Sequence, residues 1–225
     1  MTTVCWLFVG APTCASPTLL SGELPDLIIC ADSGANHAAA YDLVPDTILG
    51  DLDSVSGPVL ESFRKAGSRI IEYPTLKDHS DLEIALQHLT PIAPATVRVF
   101  GAIGGRLDFT LNNLRVLTAW WRENRSSTPN LTIIDTNELS HLMENETRSF
   151  ITTQGARVSL LPVTATTQNV STSGLQWQLN GETINAHQSR TLSNRAVAER
   201  ITVTSGSGPL LVLIETVVAG AGSHT

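Results

Sequence analysis

The chain has 225 residues, 14 of them basic and 21 acidic, for a formal net charge of −7. Hydrophobic residues make up 42% and charged residues 16%, enough apolar material for a core in one large domain or two small ones. An acidic chain without a basic block is poorly suited to nucleic acid, whose phosphate backbone is gripped chiefly by charge.

The first apolar run, residues 4–9, is not expected to be a targeting segment. The first basic residue in the chain is Arg64, so the run lacks the positive flank of a signal peptide. Residues 27–30, 47–49, 69–71, 97–100 and 131–134 follow as short, nearly continuous apolar runs, the pattern of strands buried on both faces. Between the runs 69–71 and 97–100, Leu82, Ala85, Leu86 and Leu89 fall at i, i+3, i+4 and i+7, one apolar helical stripe. A second helix is expected over 108–121, with Leu111, Leu114 and Leu117 three apart. Strands alternating with helices predict a mainly parallel, Rossmann-like, three-layer α/β domain with ligand sites at the strand ends.

The character changes near residue 145. Up to residue 144 the chain carries 9 basic and 17 acidic side chains, and every aspartate lies at or before Asp135; the remainder carries 5 basic and 4 acidic. Beyond it only strand patterns occur: 157–162, ended by Pro162, then the alternating 200–204, then 210–214 after a Gly-Ser-Gly-Pro turn. Asn180-Gly181 reads as a two-residue hairpin turn. The expected organisation is an α/β domain over 1–145 and an all-β sandwich or barrel over 146–225. The run 210–214 stops at Glu215, short of the roughly 20 residues of a membrane span. Cys5, Cys14 and Cys30 are odd in number and at no metal-ligand spacing. Together these predict a reduced, soluble, cytoplasmic protein.

Four clusters at strand ends carry candidate chemistry. Ala31-Asp32-Ser33-Gly34-Ala35-Asn36 reads either as a strand-to-helix turn capped by Asp32 or Ser33, or as backbone N–H groups offered to a phosphate. In Gly50-Asp51-Leu52-Asp53-Ser54, carboxylates at i and i+2 of an extended segment point to one side, close enough to share a hard cation; the alternative is a solvated acidic turn. In Lys77-Asp78-His79-Ser80-Asp81-Leu82-Glu83, Ser80 and Glu83 form a capping box, while Lys77 sits where a helix dipole disfavours a cation and so points to an anionic ligand. His79 reads as a surface residue. Gly104-Gly105-Arg106-Leu107-Asp108 joins a glycine turn to a guanidinium fork suited to phosphate oxygens, with Asp108 in the place of an N-cap. The four together imply a metal–polyphosphate site. Neither a Walker A motif nor Gly-x-Gly-x-x-Gly is present.

Read as a set, ADSGAN, GDLDS, KDHSDLEIAL and GGRLD resemble the thiamine pyrophosphokinase family. The resemblance extends through SLLP at 159–162, GLQWQL at 174–179 and SNR at 193–195, and so spans about residues 28 to 214. It implies an α/β ATP-binding domain followed by a β-sandwich, assembled as a homodimer with active sites between subunits. It further implies Mg²⁺ on Asp51, Asp53 and Asp81, with Asp78 adjacent. The expected ATP and phosphate set is Asp32, Gly34, Asn36, Lys77, Ser80, Gly104, Gly105, Arg106 and Asp108. Trp177, Ser193 and Asn194 match positions associated with thiamine, and an aromatic face suits a flat, cationic heterocycle; by residue type alone a tryptophan in a small β domain belongs to the core. The implied reaction is ATP plus thiamine to AMP plus thiamine diphosphate, with Asp53 and Asp78 the candidates for taking the hydroxyl proton. The alternatives are a pyrophosphokinase for another hydroxyalkyl heterocycle such as a pterin, a catalytically silent nucleotide-binding homologue, or a metal-dependent phosphohydrolase. Three positions depart from the pattern: Phe109 stands where the family often has His, Ser80 replaces Thr, and Ser33 replaces Gly.

Overall fold

A computed structural model of the chain describes residues 3–20, 22–76 and 78–216. The chain divides into two compact units, Met1–Thr136 and Asn137–Thr225.

In the first unit, strands β1 (Val4–Phe8), β2 (Leu27–Ala31), β3 (Thr47–Gly50), β4 (Arg69–Glu72), β5 (Thr96–Phe100) and β6 (Asn130–Asp135) are joined by helices α1 (Gly34–Ala40), α2 (Gly57–Ala66), α3 (Asp81–Leu89) and α4 (Leu107–Asn124). The strands lie in the order β6-β5-β1-β2-β3-β4, and every pair is parallel. Parallel pairs need crossover connections, and the helices supply them, α1 packing with α2 and α3 with α4. The central strands are apolar along their length because they are buried: Leu7, Ile29, Ile48, Leu49, Val97 and Val99 expose nothing. The edge strand β4 instead leaves Arg69 and Glu72 exposed, charges that discourage further pairing. Each apolar run read from the sequence in this unit is a strand, and both expected helices are present. Helix α2 has no counterpart in that reading because it buries only Phe63. Its punctuation is ordinary, with Pro58 in the first turn and Gly67 left-handed at the end.

Among the described residues, the second unit contains strands only: β7 (Glu138–Met143), β8 (Glu146–Ile151), β9 (Arg157–Pro162), β10 (Thr166–Ser173), β11 (Glu182–Asn185), β12 (Asn194–Arg195), β13 (Arg200–Ser205) and β14 (Leu210–Glu215). One antiparallel layer runs β12-β9-β14-β7 and the other β11-β10-β13-β8. Met143, Val158, Leu160 and Val212 from the first layer meet Phe150, Val170, Ile184, Ile201 and Val203 from the second in one core, which makes the unit a sandwich. The division falls after Thr136, not after residue 145, because β7 pairs with β14 along its full length. Asn180-Gly181 is not a two-residue hairpin loop. Residues 174–181 join β10 to β11, since this segment first bridges Leu175 to Ala196, and Gly181 donates its N–H to Ser171 Oγ at 2.8 Å. No helix among the described residues is long and apolar enough to cross a membrane.

The turn from β2 into α1 is seated on β1 at Gly34, where a Cβ would collide with the Phe8 carbonyl and the Val9 nitrogen. Both obstacles are backbone, so neither can swing aside. Gly34→Ala should therefore lower the unfolding free energy by about 1–3 kcal/mol, the usual penalty of overpacking. Urea unfolding followed by circular dichroism checks this, and an unchanged midpoint would show that α1 can lift off β1 at no expense.

Candidate active site

The strand order reverses at β1, whose neighbours are β2 on one side and β5 on the other. In open α/β sheets such a switch point opens a crevice beyond the carboxyl ends of the strands. A cavity of about 420 Å³ lies there. Its walls come from consecutive strand exits: Gly10, Ala11 and Pro12 after β1, Asp32 and Ser33 after β2, Asp51 after β3, Ser80 and Asp81 entering α3, and Gly104, Arg106, Phe109 and Asn113 from β5 into α4.

Three aspartates converge at its rim. One carboxylate oxygen each of Asp32, Asp51 and Asp53 lies within 4.8 Å of the other two. The Oδ1 of Asp32 is buried and has no hydrogen-bond partner. Asp81 approaches the same place: a Cβ on Gly50 would lie 3.1 Å from Asp81 Oδ1 and 3.0 Å from Asp32 Cβ, at a φ of +147° that disfavours other residues. Gly50 is thus the gap through which these acids come together. The flanking backbone is unusual as well, with Asp32 at φ 46° and Leu52 at φ 63°, left-handed conformations that non-glycine residues rarely adopt. Burial pushes the Asp32 carboxyl above the ordinary aspartate range. The charges of Asp81, Asp51 and Asp53 push the same way, against a Ser33 backbone N–H that lowers it. An all-oxygen donor set with an unpartnered buried oxygen fits a hard divalent cation.

The expected site residues fall into distinct groups. Asp32, Ser80, Gly104 and Arg106 line the cavity together with Asp51 and Asp81. Asp78 is exposed and outside the three-carboxylate group, and Lys77 lies outside the described residues. Ser80 forms the capping box: its Oγ accepts from Glu83 N at 3.3 Å, while its own N–H donates to Glu83 Oε2 at 2.8 Å. His79 is exposed and also lines the cavity. The N-cap position of α4 is Arg106, not Asp108, and no side chain caps it. Asp108 instead accepts from Arg106 Nη2 at 2.6 Å and Nε at 3.1 Å, and this guanidinium holds its carboxyl below the usual range. The Phe109 ring covers the face of the same guanidinium at 4.3 Å. Gly104 N–H is taken by Thr110 Oγ1 at 3.1 Å, and Gly105 is exposed in the same turn. Gly34 is buried as the first residue of α1, and Ser33, the N-cap of α1, makes no side-chain cap. Asn36 donates to Ser54 O at 3.1 Å and accepts from Ser56 N at 3.0 Å, so it fastens the loop that carries Asp51 and Asp53.

In the second unit Trp177 is 57% exposed and thus outside the core, on the segment between β10 and β11. Asn194 opens β12 and is 6% exposed. Ser193 precedes it at φ 56°. The cavity residues that sequence reasoning passed over include Gly10, Ala11, Pro12, Thr75 and Asn113. A signal for the first three was available, since a Gly-Ala-Pro turn ends β1 just as glycine turns end β3 and β5, but it lacks a charged residue. His37 Nε2 holds that turn through Ala11 O at 2.7 Å, and Tyr41 donates to Cys14 O at 2.8 Å.

The chain thus pairs a parallel α/β unit, with an acidic cavity at its switch point, with an antiparallel sandwich that follows it in sequence. Residues 23–128 match the family model described as the thiamin pyrophosphokinase catalytic domain, and residues 141–210 match the thiamin pyrophosphokinase vitamin B1 binding domain. The chain belongs to the thiamin pyrophosphokinase family. It is 29% identical over 213 residues to thiamine pyrophosphokinase 1 of Arabidopsis thaliana, covering 84% of this chain and 78% of that one. To the thiamine pyrophosphokinase of Bacillus subtilis (strain 168) it is 24% identical over 191 residues, 84% of this chain and 87% of the relative. Among solved structures its fold is similar to thiamine pyrophosphokinase from Bacillus subtilis, with a TM-score of 0.82 at 21% identity over 96% of this chain and 100% of that chain. It is also similar to thiamin pyrophosphokinase from Candida albicans, with a TM-score of 0.79 at 20% identity over 95% and 89%.

The raised Asp32 carboxyl has a consequence for stability. A carboxyl of this kind favours the fold in acid and loses that contribution as the pH rises through its folded value. Asp32→Asn, which removes one of the crowded charges, should raise the melting temperature of the cation-free protein at pH 7. The gain should shrink as the pH falls toward about 4, the unfolded aspartate range. Scanning calorimetry in chelator checks both, and a lower melting temperature at pH 7 would mean that the charge is held by favourable partners.

Proposed function

We propose that the chain transfers the pyrophosphoryl group of ATP to the hydroxyethyl group of thiamine, giving thiamine diphosphate and AMP. The observation that carries this is the convergence of Asp32, Asp51 and Asp53 at the mouth of the cavity, with Asp81 beside them. The thiamine oxygen attacks the β-phosphorus, the bond from that phosphorus to the oxygen bridging to the α-phosphate breaks, and AMP departs with that oxygen. The hydroxyl proton passes to a carboxylate, for which Asp53 and Asp78 remain the two proposed acceptors.

Asp32, Asp51 and Asp53, with Asp81 adjacent, would hold Mg²⁺, which when bound would neutralise charge on the phosphate oxygens. This set adds Asp32 to the three carboxylates expected from the resemblance, because Asp32 offers the orphaned oxygen. Arg106 contributes a guanidinium whose remaining N–H groups point away from the two that Asp108 occupies, a fork for phosphate oxygens. Catalysis by this set is mostly positioning and electrostatic stabilisation. Trp177 presents an exposed indole, a suitable face for the pyrimidine and thiazolium of thiamine. Free Cys5, Cys14 and Cys30 accord with a reducing, cytoplasmic setting. A homodimer with active sites between subunits completes the reading.

Purified protein incubated with Mg²⁺, ATP and thiamine should release AMP and thiamine diphosphate together. AMP release with a hydroxymethyl pterin but not with thiamine would reassign the acceptor, and phosphate release without any acceptor would make the chain a phosphohydrolase. Asp51→Asn and Asp81→Asn should each lower turnover by about 10² or more. Either variant working at the wild-type rate would remove that residue from the site. Sedimentation of the active protein should give the mass of two chains, and an active monomer would exclude shared sites.

A further inference from the structure

Asn194 was expected among residues that touch thiamine, yet its side chain is 6% exposed and faces the main chain of Trp177. Residues 175–177 run antiparallel to 194–196, with Leu175 bridged to Ala196 and Gln176 N–H donating to Arg195 O at 2.9 Å. At the next position the pairing is made by a side chain. Trp177 N–H donates to Asn194 Oδ1 at 3.1 Å, and Asn194 Nδ2 donates to Trp177 O at 2.7 Å. The same Oδ1 also accepts Arg195 N–H at 2.8 Å. An asparagine amide has an oxygen and a nitrogen disposed like those of a peptide, so Asn194 extends the ladder by one residue. Its base is firm, because the Asn194 main chain pairs with Val158 of β9 and the preceding Ser193 N–H donates to Ser159 Oγ at 3.0 Å. What this bracket holds outward is a large aromatic side chain that is 57% exposed.

We propose that Asn194 is a positioning residue: a peptide-mimicking clamp that fixes the Trp177 main chain and so presents the indole as a preset face for the flat, cationic acceptor. The identity of that acceptor rests on the thiamine reading above; the clamp does not. Two of the three hydrogen bonds go to Trp177, and the buried amide has little surface left for a ligand. Holding the platform in advance removes part of the ordering cost of binding. Aspartate has the same shape but cannot donate to Trp177 O and would set a negative charge against that carbonyl.

The test uses the whole chain. Its other three tryptophans, Trp6, Trp120 and Trp121, are 4%, 8% and 1% exposed, so acrylamide-quenchable fluorescence reports Trp177. Asn194→Asp should give faster local depolarisation of that component in the absence of substrate. It should also raise the KM for thiamine about tenfold, the scale of one net hydrogen bond, with little change in kcat or in the KM for ATP. In a Trp177→Ala background, Asn194→Asp should add nothing further to the thiamine KM. Asn194→Ser is run in parallel, so a variant that fails to fold leaves the other to decide. Unchanged depolarisation in a folded variant overturns the clamp, whatever the thiamine assay gives. An effect that adds to Trp177→Ala overturns action through Trp177 and returns Asn194 to direct contact. An unchanged thiamine KM in Trp177→Ala alone overturns the thiamine platform while faster depolarisation still supports the clamp.

Discussion

Carboxylates whose oxygens lie within 4.8 Å of one another repel, and a fold that gathers them must supply the restraint. Here the restraint starts in the sheet. The register of β2 against β3 sets Ala31 beside Leu49, and Asp32 N–H donates to Leu49 O at 2.8 Å, so the two strand exits that carry Asp32 and Asp51 leave side by side. Gly50 then admits Asp32 and Asp81 to a space that any side chain would fill. Left-handed backbone at Asp32 and Leu52 costs about 1–3 kcal/mol each, and the repulsion raises that further. Strain and repulsion at one place, with a buried oxygen unpartnered, fit the divalent cation proposed for this site.

The strands of the first unit were legible because burial on both faces leaves one residue type possible at nearly every position. Helix α3 was legible for a related reason: its capping box and four-residue stripe are both local signals. What the sequence hides is pairing over distance. The extent of the second unit depends on β7 finding β14, some seventy positions on, and nothing within residues 138–143 records that partner. Asn180-Gly181 carries a strong local turn signal, yet Leu175 is tied to Ala196 before the chain can close so tight a loop.

The same limit applied within the site. GDLDS could be read as a cation-binding pair, because the two carboxylates are near neighbours in the chain. The third carboxylate of the group, Asp32, lies in another motif and comes close only through the sheet; the resemblance implied a nucleotide role for it. Trp177 went the other way. A tryptophan in a small β domain is normally core, and only the resemblance argued for exposure; the structure exposes it.

A common device recurs in each of the two units. Asn36 clasps the main chain at Ser54 and Ser56, Asn113 donates to Ala102 O at 2.9 Å, and Asn194 clasps Trp177. Each is an amide tied to the backbone of a distant segment, and each holds a loop that carries or borders a functional group. An aspartate has the same reach but can only accept, so it could not make the donating half of any of these contacts. At Asn36 it would also add another negative charge close to Asp53, whose carboxylate already takes a hydrogen bond from Ser54 Oγ at 2.8 Å. Neutral braces let the carboxylates crowd together without enlarging the repulsion that the fold must contain. Sequence alone could not separate such braces from ligand contacts, because the amide of asparagine serves either purpose equally well.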